Sequence, residues 1–253
     1  MVLASLTVAA AVGMVAATTP SCHLSSPPQT QALVELYTSQ GCSSCPPADR
    51  WLSQFDPRQA TNVIPLALHV GYWDYIGWKD PYARRDFNAR QEWLAGINRN
   101  HTVYTPGVFL QSRETPSWHD AASFNASVRS ITAKPARAQI ELTVEHADAD
   151  TVTVRAVSSL APATQAADAR LFLALTESGL ETKVKAGENR GETLRNDHVT
   201  RDWSGALSLG TQSVALGGAS SAGAQRAVVA FVQDMKTGDV LQAVRLPLAA
   251  CMP

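Results

Sequence analysis

The chain has 253 residues, 45% of them hydrophobic, and a net charge of −1. That is length for one large or two small domains with a full core, and the near-neutral balance excludes broad attraction to nucleic acid or an anionic membrane. Four cysteines, at 22, 42, 45 and 251, are too few for a disulfide-dense scaffold.

Residues 1–17 are almost wholly apolar and small, which is the pattern of a signal peptide, with Val15-Ala16-Ala17 as the cleavage site. The run is short of the roughly 20 residues that cross a bilayer, so no stable membrane span is expected after cleavage. The implied compartment is periplasmic or secreted, where disulfides persist. Residues 18–31 read as a flexible lead-in. Cys22 and Cys251 stand at opposite ends of the mature chain. They are a candidate structural disulfide that staples the termini, against the alternative that Cys22 is cut away or free.

Leu33, Val34, Leu36 and Tyr37 predict a buried strand, broken by Gln40-Gly41. Ala48, Trp51, Leu52 and Phe55 then recur at helical spacing. Cys42 is expected at the helix start, where free backbone N–H groups and the helix dipole lower a thiol pKa. Cys45 falls one turn deeper, within disulfide reach. An exposed sulfur with a resolving sulfur beneath it is a dithiol exchange site. An inert disulfide and half of a metal site are the competing readings, and there is no second C-x-x-C.

Residues 62–70 form an apolar run that suits a strand buried on both faces. Pro65 predicts an edge position or a bulge there. The next eleven residues hold Tyr72, Trp73, Tyr75 and Trp78. This reads as a loop that flanks Cys42 and offers an apolar wall to a substrate, or as a packed loop filling a local core. Asp80-Pro81 predicts a helix start. Ala83, Phe87, Leu94 and Ile97 then face the core, Arg84, Arg85 and Arg90 face solvent, and Asn98-Arg99-Asn100 is the stop. Thr105-Pro106 opens a further strand. Residues 112–117 read as a polar turn with Pro116 where the next strand should begin, which predicts a short strand at the sheet edge. Asp120 caps a last helix carrying Phe124, Val128 and Ile131.

From residue 136 the helical periodicity gives way to alternation. About eight short strands separated by turns, including Lys236-Thr237-Gly238-Asp239, predict a β-sandwich over 136–250. His146 and His198 are isolated. The polar stretch 187–198 reads equally as an overhang of the cysteine pair or as a plain connection.

The order of elements over 32–135 resembles the thioredoxin-like superfamily. Residues 34–49, 69–81 and Tyr104-Thr105-Pro106 more narrowly resemble a family of secreted bacterial proteins catalogued as domain of unknown function 1223. The resemblance implies an α/β thioredoxin-like domain at 32–135 followed by an all-β sandwich domain at 136–250. It implies Cys42 and Cys45 as catalytic residues and a cis bond at Thr105–Pro106. It also implies a buried carboxylate on the first strand that takes the proton of the deeper thiol. Glu35 is the candidate for this proton relay, one residue out of place and hence on the wrong face unless a bulge absorbs the slip. Thr105, Pro106, Tyr72 and Trp73 are the expected substrate-binding residues.

The expected function is a thiol–disulfide oxidoreductase working through a mixed disulfide on a protein or small-molecule thiol or disulfide. No cofactor and no resident metal are called for. The alternatives are a Cu(I)-handling module using Cys42, Cys45 and His69, since soft thiolates suit that ion, and a binding protein whose disulfide is only structural. The substrate, the direction of exchange and the oligomeric state are not legible.

Overall fold

The computed structural model describes residues 22–55, 62–218 and 220–251. The expected signal peptide, residues 1–17, lies outside them. Residues 18–31 were expected to be a loose lead-in. From Cys22 onward they are instead pinned: β1 (His23–Ser25) pairs with β6 (Ala138–Ala147), Gln29 bridges to Pro135, and Cys22 is disulfide-bonded to Cys251.

Short apolar runs make the first layer. β2 (Ala32–Thr38) and β3 (Val63–His69) are buried throughout and pair in parallel, joined through α1 (Pro46–Leu52). α2 (Arg85–Ile97) leads to β4 (Gly107–Leu110) and the two-residue strand β5 (Arg113–Glu114) at the sheet edge. α3 (Ala121–Thr132) is capped by Asp120, whose carboxylate accepts the N–H groups of Ala122 and Ser123. Alternating sequence then gives β6, β7 (Thr151–Leu160), β8 (Ala169–Ser178), β9 (Leu180–Lys183), β10 (Thr193–Asn196), β11 (Val199–Leu207), β12 (Gly210–Gly217), β13 (Gln225–Asp234) and β14 (Val240–Pro247).

The pairing of these strands corrects the expected fold class. An α/β thioredoxin-like domain followed by an all-β sandwich requires a sheet that closes before residue 135. Instead, eight strands form one mixed sheet in the order β14-β13-β8-β11-β3-β2-β4-β5. β11 is the seam: it runs antiparallel to β8 and meets β3 in parallel at Val199 opposite Ala67. Fourteen strands against three α-helices make this a β-rich fold among the described residues.

One face of the large sheet is covered along its middle by α2, which buries Phe87 and Leu94 against Leu33, Leu66, Phe172 and Phe231. The other face is covered in two parts. α1 and α3 pack on β2, β3 and β4 through Ala48, Leu52 and Phe124. The four-stranded sheet β1-β6-β7-β12 packs on β8, β13 and β14 to make a sandwich, with Leu142, Val154, Leu173 and Val228 in its core.

The seam also explains Pro65. β3 is an interior strand, yet the Ala67 N–H already reaches the His198 carbonyl at the very start of β11. N–H groups two residues apart point the same way along a strand. The missing donor of Pro65 therefore points to a side where β11 has not yet begun.

Candidate functional site

The site is built where β2 ends. The chain turns sharply after Thr38: the Ser39 hydroxyl accepts the Gly41 N–H at 3.1 Å, and the Ser39 carbonyl accepts the Cys42 N–H at 3.1 Å. Cys42 and Cys45 form a disulfide across Ser43-Ser44. The helix does not start at Cys42. Pro46 and Pro47 occupy the first two helical positions and Cys45 is the cap residue. Proline has a preset φ and no N–H to satisfy, so the pair fixes the helix start behind them. Cys42 thus lies three residues upstream of where the dipole argument placed it.

The expected exposure of Cys42 is also corrected. Both cysteines have 0% accessible surface. Three segments enclose them. The Thr105 carbonyl, part of the cis Thr105–Pro106 peptide bond, lies 3.8 Å from Cys42 Sγ. The Trp73 indole donates to the Thr105 hydroxyl at 2.7 Å, and its Cβ backs so closely onto Gly41 that a side chain at 41 would meet it at 3.1 Å. The third segment is the connection between β9 and β10. Asn189 donates to the carbonyls of Gln40 and Cys42 at 2.9 and 3.0 Å, and the Glu188 carboxylate accepts the Ser43 N–H at 2.9 Å. That last bond holds the Glu188 pKa below its ordinary value. Gln40 ties the same region together, donating to Asn196 and accepting from the Trp78 indole. Tyr72 stands one step back, its hydroxyl on Gln91, and Gln91 in turn donates to the Tyr104 carbonyl.

Beneath the disulfide is a buried group of acids and an imidazole. His69 is paired in register with Thr38, and its Nδ1–H donates to Asp80 at 2.8 Å. Asp80 also accepts the backbone N–H groups of Gln40 and Tyr82. Burial alone would raise the Asp80 pKa, but His69 and these donors hold it below 3.8. Burial alone would lower that of His69, but Asp80 and then Asp49 hold it above 6.5. Asp49 lies one helical turn after Cys45, its N–H on the Cys45 carbonyl, and burial pushes its carboxyl up to about 6. The Nε2 atom of His69 is buried and has no hydrogen-bond partner among the described residues.

The structure distributes the sequence candidates unevenly. Cys42, Cys45, Thr105, Pro106 and Trp73 come together, with Tyr72 behind them. Glu35 does not join them. It sits on the α2 face of β2, in a two-pronged ion pair with Arg90 at 2.6 and 2.9 Å and under the Tyr37 hydroxyl. The one-residue offset of Glu35 is not absorbed by a bulge, and alternation carries its side chain to the face opposite α1. Arg90 is accordingly buried rather than solvated, and Asp80 is a ligand of His69 rather than a helix cap. His69 is directed to Asp80, and among the described residues no three His, Cys, Asp or Glu side chains are placed to hold a metal ion. His198 is buried, with Nε2 on the Phe55 carbonyl. Sequence reasoning missed Asp49, an acid on the same helical arc as Ala48 and Leu52. That break in an otherwise apolar face was its only signal.

A family model described as a protein of unknown function, DUF1223, matches residues 33–233. The chain belongs to DUF1223. The DUF1223 match takes in Cys42, Cys45, Thr105, Pro106 and the Asn189 loop, while Cys22 and Cys251 fall outside it. No curated protein matches the chain. Two solved structures share its fold. Protein AGR_C_4864 from Agrobacterium tumefaciens is 22% identical with a TM-score of 0.59, over 86% of this chain and 94% of its own. HBP35 of Porphyromonas gingivalis is 12% identical with a TM-score of 0.60, over 87% of this chain and 76% of its own. Among the described residues no helix is long and apolar enough to cross a membrane.

Proposed function

We propose that this DUF1223 chain is a thiol–disulfide oxidoreductase of the cell envelope, periplasmic or secreted, with Cys42–Cys45 as its exchanging pair. The observation that carries the reading is the disulfide spanning only Ser43-Ser44, with Cys42 Sγ against the Thr105 backbone. In the reduced form the Cys42 thiolate attacks a substrate disulfide. One substrate sulfur leaves as a thiolate and a mixed disulfide remains on Cys42. The Cys45 thiolate then attacks Cys42 Sγ, releases the second substrate thiolate and re-forms the Cys42–Cys45 bond. Run backwards, the same steps oxidise a dithiol substrate. Thr105 and Pro106 line up the substrate backbone, and Tyr72 and Trp73 wall the approach. Two disulfides in one chain support an oxidising compartment.

Because both sulfurs are covered, exchange requires the Glu188–Asn189 connection to lift from Gln40, Cys42 and Ser43. The same burial favours a second reading, a purely structural disulfide. The reduction potential separates them, measured by thiol alkylation and mass shift across a dithiol series. A reversible couple between about −120 and −270 mV supports exchange, and a pair that stays oxidised below about −300 mV overturns it.

A further inference from the structure

At the opposite end of β2 from the cysteines is a cleft of about 690 Å³ between α3, the β4–β5 turn and the β13–β14 hairpin. That volume is in the range of small-molecule sites. Its floor is apolar, with Leu110, Phe124 and Ile131, and its rim carries Arg113, Lys134 and Arg137.

The cations outnumber the acids beside them. Two carboxylates line the cleft, Glu114 and Asp239. Glu114 is engaged elsewhere, accepting from Asn100 and from the Tyr104 hydroxyl. Among the described residues Asp239 alone serves both guanidinium groups, accepting from Arg113 at 3.1 Å and from Arg137 at 3.0 Å. Each guanidinium has five N–H donors in a planar fork that matches an oxyanion, and about half of each side chain is exposed.

The turn that presents Arg113 is held in an unusual shape. Gln111 and Ser112, the two residues between β4 and β5, both have positive φ, 50° and 62°. A two-residue hairpin of this kind ordinarily takes Asn-Gly. Non-glycine residues stay there only when their surroundings over-determine them, and here four elements do so. Gln111 accepts the Leu33 N–H and donates to the Val240 carbonyl, while the Ser112 hydroxyl and carbonyl accept from Gln233 and Asn98. The base of Arg113 is therefore fixed before any ligand arrives.

We propose that this cleft binds a small amphipathic anion, its carboxylate, sulfonate or phosphate head held by Arg113 and Arg137 and its apolar body laid on Leu110, Phe124 and Ile131. The head either shares the guanidinium groups with Asp239 or displaces it. The site does not depend on the exchange reading, because it lies a full strand length from Cys42 and contains no thiol.

The test is a fluorescence titration of the chain, both disulfides formed, with 8-anilinonaphthalene-1-sulfonate, which joins an aromatic body to a sulfonate. Binding at one site is expected. The double variant Arg113→Ala/Arg137→Ala should weaken it at least tenfold, and Asp239→Asn, which frees both guanidinium groups, should tighten it. These side chains are at the rim, and an unchanged melting profile verifies folding. Absence of binding, or binding that the arginine variant leaves unaltered, overturns the proposal. So does equal affinity for the uncharged N-phenylnaphthalen-1-amine, which lacks the sulfonate.

Discussion

Replacing Asp49 by Asn tests whether the acid beneath the disulfide is held against its preference. Asp49 is 8% exposed, and burial takes its pKa from the ordinary 3.8 to about 6. An acid whose folded pKa lies above its unfolded one binds protons more tightly in the native state. Its contribution to stability is then fully present below the unfolded pKa of 3.8 and is lost as pH rises through about 6. At about 1.36 kcal/mol per pKa unit, ionising Asp49 inside the fold costs about 3 kcal/mol. Asn keeps the shape and removes the titration. The variant should therefore gain about 2.4 kcal/mol over the parent between about pH 4 and about pH 8, the rest of the roughly 3 kcal/mol having accrued below about pH 4 as the unfolded acid ionises. Urea unfolding at both pH values, with the disulfides oxidised, reads the difference directly. His69, Asp80 and Arg50 are charged or titrating neighbours present in both proteins. Only the Asp49 proton and its coupling to them differ. A variant-minus-parent difference that stays flat with pH refutes the reasoning.

Three further outcomes are expected. Cys42→Ser abolishes exchange with a disulfide substrate, whereas Cys45→Ser accumulates a mixed disulfide visible by mass spectrometry under non-reducing conditions; full turnover by either variant contradicts the mechanism. Asn189→Ala removes two hydrogen bonds worth about 0.5–1.5 kcal/mol each, so reduction of Cys42–Cys45 by a small dithiol should speed up roughly ten- to a hundredfold, and an unchanged rate means that this loop is not the cover that matters. Glu35→Ala strands the Arg90 guanidinium in the core and should lower stability by about 3–5 kcal/mol, measured by chemical denaturation; a loss within the scatter of ordinary surface substitutions shows that Arg90 finds water.

Local structure was legible where one stretch of sequence decides it. The buried runs of β2 and β3, the Asp120 cap of α3 and the turn at Lys236–Asp239 all follow from residues within a few positions of one another, whereas β5 lies at Arg113–Glu114, before Pro116 and inside the stretch that reads as a turn. The pairing of β3 with β11 does not. Periodicity says that a strand is buried, not which strand 130 residues away lies beside it, and β11 is what merges two expected units into one sheet. The same limit governs the site. The C-x-x-C spacing and Thr105-Pro106 are visible in the sequence, but Asn189 and Glu188, which bond the backbone of Gln40, Cys42 and Ser43, come from another part of the chain. Arg90 shows the converse error. Its charge argues for solvent, yet it stands three residues after Phe87 and four before Leu94, on the buried arc of α2, where Glu35 on β2 and Gln233 on β13 make the interior position tolerable.

The seam at β11 also sets an order of events. A chain made from its N-terminus completes β2, β3 and β4 long before Val199 exists. During that interval the far side of β3 offers unpaired backbone groups beside apolar residues, which is a template for pairing with other chains. Contacts that span so much sequence form slowly. A nascent DUF1223 chain of this kind therefore has to be shielded until its last third has emerged. A fragment ending near residue 135 would carry the cysteine pair but aggregate through the bare flank of β3.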